Sequence, residues 1–179
     1  MSRNIVILSG SPRKNGNTDK LVAAFVEGAE SAGKSVKLFR TADMGIAGCL
    51  GCGHCHKNDG ECVQKDDMPE ILEALKVADT LVLASPVYYF SVTAQLKLAI
   101  DRTYALLRRG TPRERIAMLL TCGNPDTSVA EGAIILMNWM CKISKSENAG
   151  VIVAGGLHDV DAIVGRPELE QARELGKSI

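Results

Sequence analysis

The chain has 179 residues, 46% hydrophobic, 23% charged and only 4% aromatic, and its 21 basic residues equal its 21 acidic ones. That length suits one domain with a real core, and the average balance of apolar and charged residues excludes a disordered chain. Zero net charge excludes a summed field able to hold a polyanion or an anionic membrane surface, and the scarce aromatics leave few platforms for stacked bases, so neither nucleic acid nor membrane is an expected partner.

In chain order, the apolar run 4–8 has strand length and leads into a polar, glycine-containing loop. It is too short for a signal-peptide core or a membrane span, so a cytoplasmic protein is expected. A helical pattern begins at Thr18, an N-cap oxygen, carries Leu21, Val22, Phe25, Val26 and Ala29 on one face, and stops at Gly33. Val36–Phe39 reads as the second strand. Residues 40–66 then hold four cysteines and five glycines without a period, a stretch too long for an ordinary connection and expected to be functional or metal-organised. Asp67-Met-Pro-Glu70 opens the next helix with an N-cap carboxylate, and Ile71, Leu72, Leu75 and Val77 form its apolar side. Thr80–Ala84 is a buried strand broken by Ser85-Pro-Val-Tyr-Tyr-Phe90. A helix is predicted from about Val92 to Arg108, strands at Ile116–Thr121 and Gly150–Ala154, a helix at Val129–Ile143 between them, and a short amphipathic helix at Pro167–Gly176.

Five wholly apolar strands alternating with helices predict an α/β fold, a parallel sheet covered on both faces. Right-handed crossovers make it doubly wound, and five strands suit the flavodoxin-like order 2-1-3-4-5. In that order strands one and three are neighbours whose connections leave in opposite directions. A ligand crevice is expected there, at the carboxyl ends of the strands, bordered by loops 9–17, 85–91 and 121–127. The whole chain, 1–179, reads as a single domain with a cysteine-rich insertion at about 41–66.

The first of these loops, Gly10-Ser-Pro-Arg-Lys-Asn-Gly-Asn-Thr18, suits a phosphate. Its glycines let N–H groups turn inward before a helix N-terminus, Ser9, Ser11, Asn17 and Thr18 can donate, and Arg13 adds charge. The spacing matches neither the P-loop nor the dinucleotide fingerprint, because Asn17 stands where a Walker lysine would be and no G-x-G-x-x-G occurs. The second loop sets three of the seven aromatics side by side, a wall for a planar ring. The third, Thr121-Cys122-Gly123, offers backbone amides and small side chains, with Cys122 read as a packing residue rather than a nucleophile.

Cys49, Cys52, Cys55 and Cys62 form a C-x2-C-x2-C-x6-C array. In a reducing compartment such a cluster points to metal or redox chemistry rather than disulfides. Its compactness favours a four-iron cluster over zinc, although the last spacer of six and Val63 after Cys62 depart from the bacterial ferredoxin run. His54 and His56 are alternate zinc ligands or solvent-exposed loop residues. Cys141 is expected to pack in its helix. The helix 129–143 is too broadly apolar for one sheet-facing stripe, so part of it either lies under the cysteine loop or forms a subunit interface anchored by Trp139.

Taken together, Gly10–Thr18, Asp66-Asp67-Met68, Ser85–Phe90 and Asp101-Arg102 resemble the flavodoxin-like NAD(P)H-dependent FMN reductase family. The cysteine array resembles the compact motif of the iron-sulfur flavoproteins, a branch of that family. The resemblance implies FMN, with its phosphate held by Ser9, Ser11, Arg13, Asn15, Asn17 and Thr18 in the loop that includes Gly16. It implies an isoalloxazine lined by Pro86, Val87, Tyr88, Tyr89 and Phe90 with Thr121, Cys122 and Gly123. Hydride would come from NAD(P)H and electrons would pass to a quinone, nitro compound, free flavin or redox protein, with no catalytic acid or base because the flavin carries the chemistry. On the branch reading the four cysteines hold a [4Fe–4S] cluster and the protein is an electron carrier. Relatives with similar cysteines and no cluster keep zinc or nothing as alternatives, and a non-enzymatic flavodoxin-like carrier ranks behind, since such carriers tend to be acidic. A homodimer or homotetramer is implied.

Overall fold

The computed structural model describes residues 3–107 and 114–179. The elements are β1 (Asn4–Ser9), α1 (Asn17–Ser31), β2 (Ser35–Arg40), α2 (His54–Lys57), α3 (Met68–Lys76), β3 (Thr80–Pro86), α4 (Ala94–Arg102), α5 (Tyr104–Leu107), β4 (Arg115–Thr121), α6 (Glu131–Ser144), β5 (Glu147–Ala154) and α7 (Pro167–Ser178). The five strands form one parallel sheet in the order β2-β1-β3-β4-β5, the order expected. Its register brings Ser9 opposite Ala84 and Pro86 opposite Thr121, so β1, β3 and β4 end together along one rim.

Alternate residues of the central strands β1, β3 and β4 feed two cores, which is why those runs are apolar, whereas the edge strand β2, expected to be apolar throughout, buries only Phe39 and leaves Lys37 and Leu38 exposed. Val6, Leu8, Leu81, Leu83, Met118 and Leu120 meet α3, α4 and α6 on one face, while Ile5, Ile7, Val82, Ala84, Leu119 and Ile152 meet α1 and α7 on the other. The α1–α7 packing is at backbone contact: a Cβ on Gly28 would strike the Arg173 carbonyl, and one on Gly176 the Phe25 carbonyl.

The helix ends differ from expectation for local reasons. Gly16, not Thr18, caps α1, and it supplies no side-chain acceptor. Asp67 sits at the cap of α3, but its Oδ2 accepts from the Gly45 amide at 2.7 Å, and Met68 N–H goes to Asp66 Oδ1 at 3.1 Å. The expected 92–108 helix starts at Ala94 behind the Thr93 cap and is divided after Arg102. There Thr103 Oγ1 donates back to the Ile100 carbonyl at 2.7 Å, a bond that competes with helix continuation. Its expected end at Arg108 lies outside the described residues. A 3₁₀ turn at Thr127–Ala130, capped by Asp126, precedes α6. The cysteine-rich stretch carries a 3₁₀ turn at Thr41–Asp43 and the single-turn α2, entered through left-handed Gly51 and Gly53.

Candidate functional site

A cavity of about 220 Å³ opens at the carboxyl rim where β1, β3 and β4 end. Ser11, Arg13, Gly16, Asn17 and Thr18 line it from the first loop, Pro86, Val87 and Tyr88 from the second, and Thr121, Cys122 and Gly123 from the third. Strand order brings these three segments together, as a topological switch point requires.

The first loop is pre-shaped by charges behind it. Asp19 in the first turn of α1 accepts from the Asn15 amide at 2.8 Å and from Arg40 Nη1 at 2.6 Å, and Arg40 Nη2 also donates to the Ser11 carbonyl at 3.2 Å. Asn15 is left-handed, φ 58°, and turned out of the cavity. The Asp43 carboxyl is held below its ordinary range by the hydrogen bond from Arg40. Thr18 Oγ1 and Thr121 Oγ1 share a buried hydrogen bond of 2.7 Å that fastens α1 to the end of β4 at the cavity floor. Because Gly16 gives α1 no capping side chain, the partial positive charge of that helix N-terminus faces the cavity.

Four of the sequence-expected residues stand elsewhere. Ser9 shares the α1 face with Ile5 and Ile7, because strand side chains alternate. Its buried hydroxyl, without a hydrogen-bond partner, lines a groove between α1 and β2. Asn15 is the second, its amide taken by Asp19. Tyr89 and Phe90 line an adjoining depression of about 330 Å³ that shares Val87, Cys122 and Gly123 with the first cavity. They are the central residues of a tight turn, φ 51° and 66°, closed by reciprocal Tyr88–Ser91 backbone bonds of 3.0 and 3.2 Å. Both conformations are strained for non-glycine residues, about 1–3 kcal/mol each, and the turn leaves Tyr89 98% exposed. Asn17 lines the cavity but its side-chain amide is spent: Nδ2 donates to the Asp159 carbonyl at 2.8 Å and Oδ1 accepts from Ile163 N–H at 3.3 Å.

Sequence reasoning missed a fourth segment. Leu157 and His158, after β5, complete the cavity wall, and the His158 ring packs against Gly123, its Nδ1 3.1 Å from where a Cβ there would stand. The available signal was Gly155-Gly156 directly after an apolar strand, the same pattern that marks Gly123 after β4. Burial, then the nearby Asp126, push the Cys122 thiol up, so it stays protonated and donates to the Asn124 carbonyl at 3.3 Å.

The cysteine loop lies on the α4–α5 side of the sheet. All six cysteines are free. Cys49 and Cys52 are exposed, Cys55 and Cys62 half-buried, and among the described residues no three Cys, His, Asp or Glu side chains are gathered as metal ligands are. His56, expected as an exposed loop residue, instead packs on Tyr104 with ring centroids 4.9 Å apart and a buried Nε2 without a hydrogen-bond partner.

A family model described as NADPH-dependent FMN reductase matches residues 3–145. The chain belongs to this FMN reductase family. An iron-sulfur flavoprotein of Methanocaldococcus jannaschii is 40% identical, covering 98% of this chain and 94% of its own. Another, of Archaeoglobus fulgidus, is 34% identical over 95% of this chain and 76% of its own. A solved NAD(P)H:quinone oxidoreductase from Methanothermobacter marburgensis superposes with a TM-score of 0.75 at 22% identity, covering 99% of this chain and 96% of that one. The chain is thus an FMN-dependent oxidoreductase with the flavodoxin-like fold, near the iron-sulfur flavoprotein branch of its family. No helix among its described residues is long and apolar enough to cross a membrane.

Proposed function

We propose that FMN occupies the rim cavity, that NAD(P)H supplies hydride to it and that a small acceptor such as a quinone or nitro compound takes the electrons away. The observation that carries this reading is one cavity with an uncapped helix N-terminus and Arg13 at one end and the Pro86–Tyr88 segment at the other. The flavin, when bound, supplies the hydride and electron chemistry itself.

The chain's part is to bind and orient. The α1 N-terminus, the Gly16 backbone and Arg13 suit a phosphate dianion, while Asp19 and Arg40 hold their loop in shape so that little ordering remains on binding. Pro86, Val87 and the Thr121–Gly123 segment present backbone and small side chains where a flat ring can lie. The neutral Cys122 thiol keeps charge away from that ring. Asn17 serves by tethering the 159–163 loop rather than through its amide, and Ser9 and Asn15 are second to the groups that face the cavity. Purified, FMN-loaded protein should oxidise NADH or NADPH with quinone, nitro compound or ferricyanide; no oxidation with any of them ends this reading.

A second reading is favoured at the cysteine loop. Four thiols within fourteen residues are the donor set of a [4Fe–4S] cluster. Two buried polar atoms without partners, His56 Nε2 and Arg102 Nε, lie beside them, and Arg102 donates to Cys62 Sγ. The donor chemistry fits the group, and the relatives' names support it. Cys49, Cys52, Cys55 and Cys62 would hold it, with electrons exchanged one at a time. Anaerobically purified protein containing about four irons and matching sulfide per chain supports this reading, and flavin bands without iron reject it.

The exposed faces of Ile135, Trp139 and Ile143 recur every fourth residue along α6. We read that row as a contact between copies of this chain, giving a homodimer or homotetramer, and the protein as cytoplasmic.

A further inference from the structure

Two motifs of the sequence, Asp66-Asp67-Met68 and Asp101-Arg102, are not used by the rim cavity, and they meet at the cysteine loop. Arg102 ends α4 with its side chain 1% exposed. Its guanidinium grips Asp66 with both nitrogens, Nη1 to Oδ2 at 2.5 Å and Nη2 to Oδ1 at 2.9 Å. Nη1 also donates to the Ala47 carbonyl at 3.0 Å, and Nη2 to Cys62 Sγ at 3.3 Å. Asp66 is fixed in turn by the amides of Ala47, at 3.0 Å, and Met68, at 3.1 Å. One guanidinium therefore ties the entry of the loop at Ala47 to its exit at Asp66, and the sulfur of Cys62 lies against it. The other end of α4 is fixed at the rim, where Thr93 Oγ1 donates to the Gly10 carbonyl at 2.9 Å and Thr93 N–H to Ser85 Oγ at 3.0 Å. A single nine-residue helix, about 13 Å long, thus joins the flavin loops to the cysteine loop.

A guanidinium keeps its charge at any pH a protein survives. Burial makes that charge act through a lower effective dielectric than water, and a charged donor makes a stronger hydrogen bond to sulfur than a neutral one. Hydrogen bonds to the sulfurs and local net charge are what set the potential of an iron-sulfur centre. We propose that Arg102, oriented by Asp66, is a positioning residue that places Cys62 as a cluster ligand and raises the reduction potential of the cluster held there. This rests on the cluster reading above. One-electron reduction adds one negative charge to the cluster–thiolate unit and changes no protein bond, so a fixed cation beside Cys62 stabilises the reduced form more than the oxidised one.

The test is a mediated dithionite titration of the full chain, anaerobically purified with FMN and cluster, followed by electron paramagnetic resonance and absorption. Dithionite supplies the electrons. Arg102→Gln should keep FMN and shift the cluster midpoint to more negative potential. Arg102→Lys, which keeps the charge but not the two-pronged geometry, should shift it less. Asp66→Asn, which leaves the guanidinium charge uncompensated, should shift it positive. Midpoints equal to the unaltered protein in Arg102→Gln and Asp66→Asn overturn the proposal while leaving the cluster reading intact. Unaltered protein that holds FMN but no iron or sulfide overturns the cluster reading and this proposal with it. Should Arg102→Gln not fold, Asp66→Asn decides alone: an unmoved or more negative midpoint overturns the assignment.

Discussion

Replacing Gly10 by alanine tests how closely the rim cavity, and the FMN binding proposed there, depends on the docking of α4. A Cβ at Gly10 would stand 2.5 Å from Leu96 Cβ and would collide with Thr93 Oγ1. Thr93 uses that hydroxyl twice, accepting from Leu96 N–H at 3.3 Å as the helix cap and donating to the Gly10 carbonyl at 2.9 Å. Relieving the clash means moving the first turn of α4, an overpacking cost of about 1–3 kcal/mol, and loosening the cap, about 1 kcal/mol. Against this stands about 0.4–1 kcal/mol gained from a stiffer unfolded chain. The net is a destabilisation of about 2 kcal/mol, a Tm lowered by about 4–8 °C for a chain of this size. Ser11, the next residue, lines the cavity, so FMN affinity should fall about tenfold, roughly 1.4 kcal/mol. The assay is thermal unfolding with and without FMN and a fluorescence titration of the flavin. Gly48→Ala is the control, since its Cβ would meet only Leu98 Cδ2 at an ordinary 3.6 Å; it should stay within about 0.5 kcal/mol of the parent. A Gly10→Ala protein as stable as the parent, with unchanged FMN affinity, refutes the reasoning.

The Arg102 hydrogen bonds lower the Asp66 carboxyl from 3.8 to about 2. Because the folded value is the depressed one, its contribution of about 2 kcal/mol is present above pH 4 and lost as pH falls from about 4 to 2. The stability gap between the parent and Asp66→Asn should therefore narrow over that window in denaturant titrations, and a gap constant from pH 6 to 2 contradicts it. Thr18→Val or Thr121→Val strands the other hydroxyl in a buried site at about 1–3 kcal/mol each, while the double variant should cost clearly less than the sum. Strict additivity in a double-mutant cycle would show that the pair is not a unit. Trp139→Asp should lower the mass seen by light scattering at micromolar concentration from a multiple of the chain to that of one chain, and an unchanged multiple removes α6 from the interface.

How much of this was legible in the sequence depends on how far apart the interacting residues lie. Apolar runs separated by helical patterns pointed to a doubly wound parallel sheet, because strands buried on both faces, as β1, β3 and β4 are, read as apolar runs and right-handed crossovers join them. Alternation alone did not fix the strand order; five strands suited 2-1-3-4-5, and the sheet has that order, which brings loops 9–17, 85–91 and 121–127 to one rim. Glycines and hydroxyls ahead of α1, and the Ser85–Phe90 run at the end of β3, marked by purely local chemistry two of the loops that line the rim cavity. Residue roles were less legible. Ser9 and Asn17 have the composition of phosphate ligands, yet the Ser9 hydroxyl opens on the groove between α1 and β2 and the 159–163 loop takes the Asn17 amide. His158 joins the cavity from a strand that is third along the sheet from β1, which no spacing in the sequence reports. Asp66 and Arg102, 36 residues apart, were visible as motifs but not as partners. Periodicity and capping report forces acting over a few residues, and they pointed to the layers, the rim and the glycine-containing loop ahead of α1. Which charge faces which sulfur, and which hydroxyl faces the rim cavity, depends on contacts between segments far apart in the chain, and those exist only once the sheet has closed and its helices have docked.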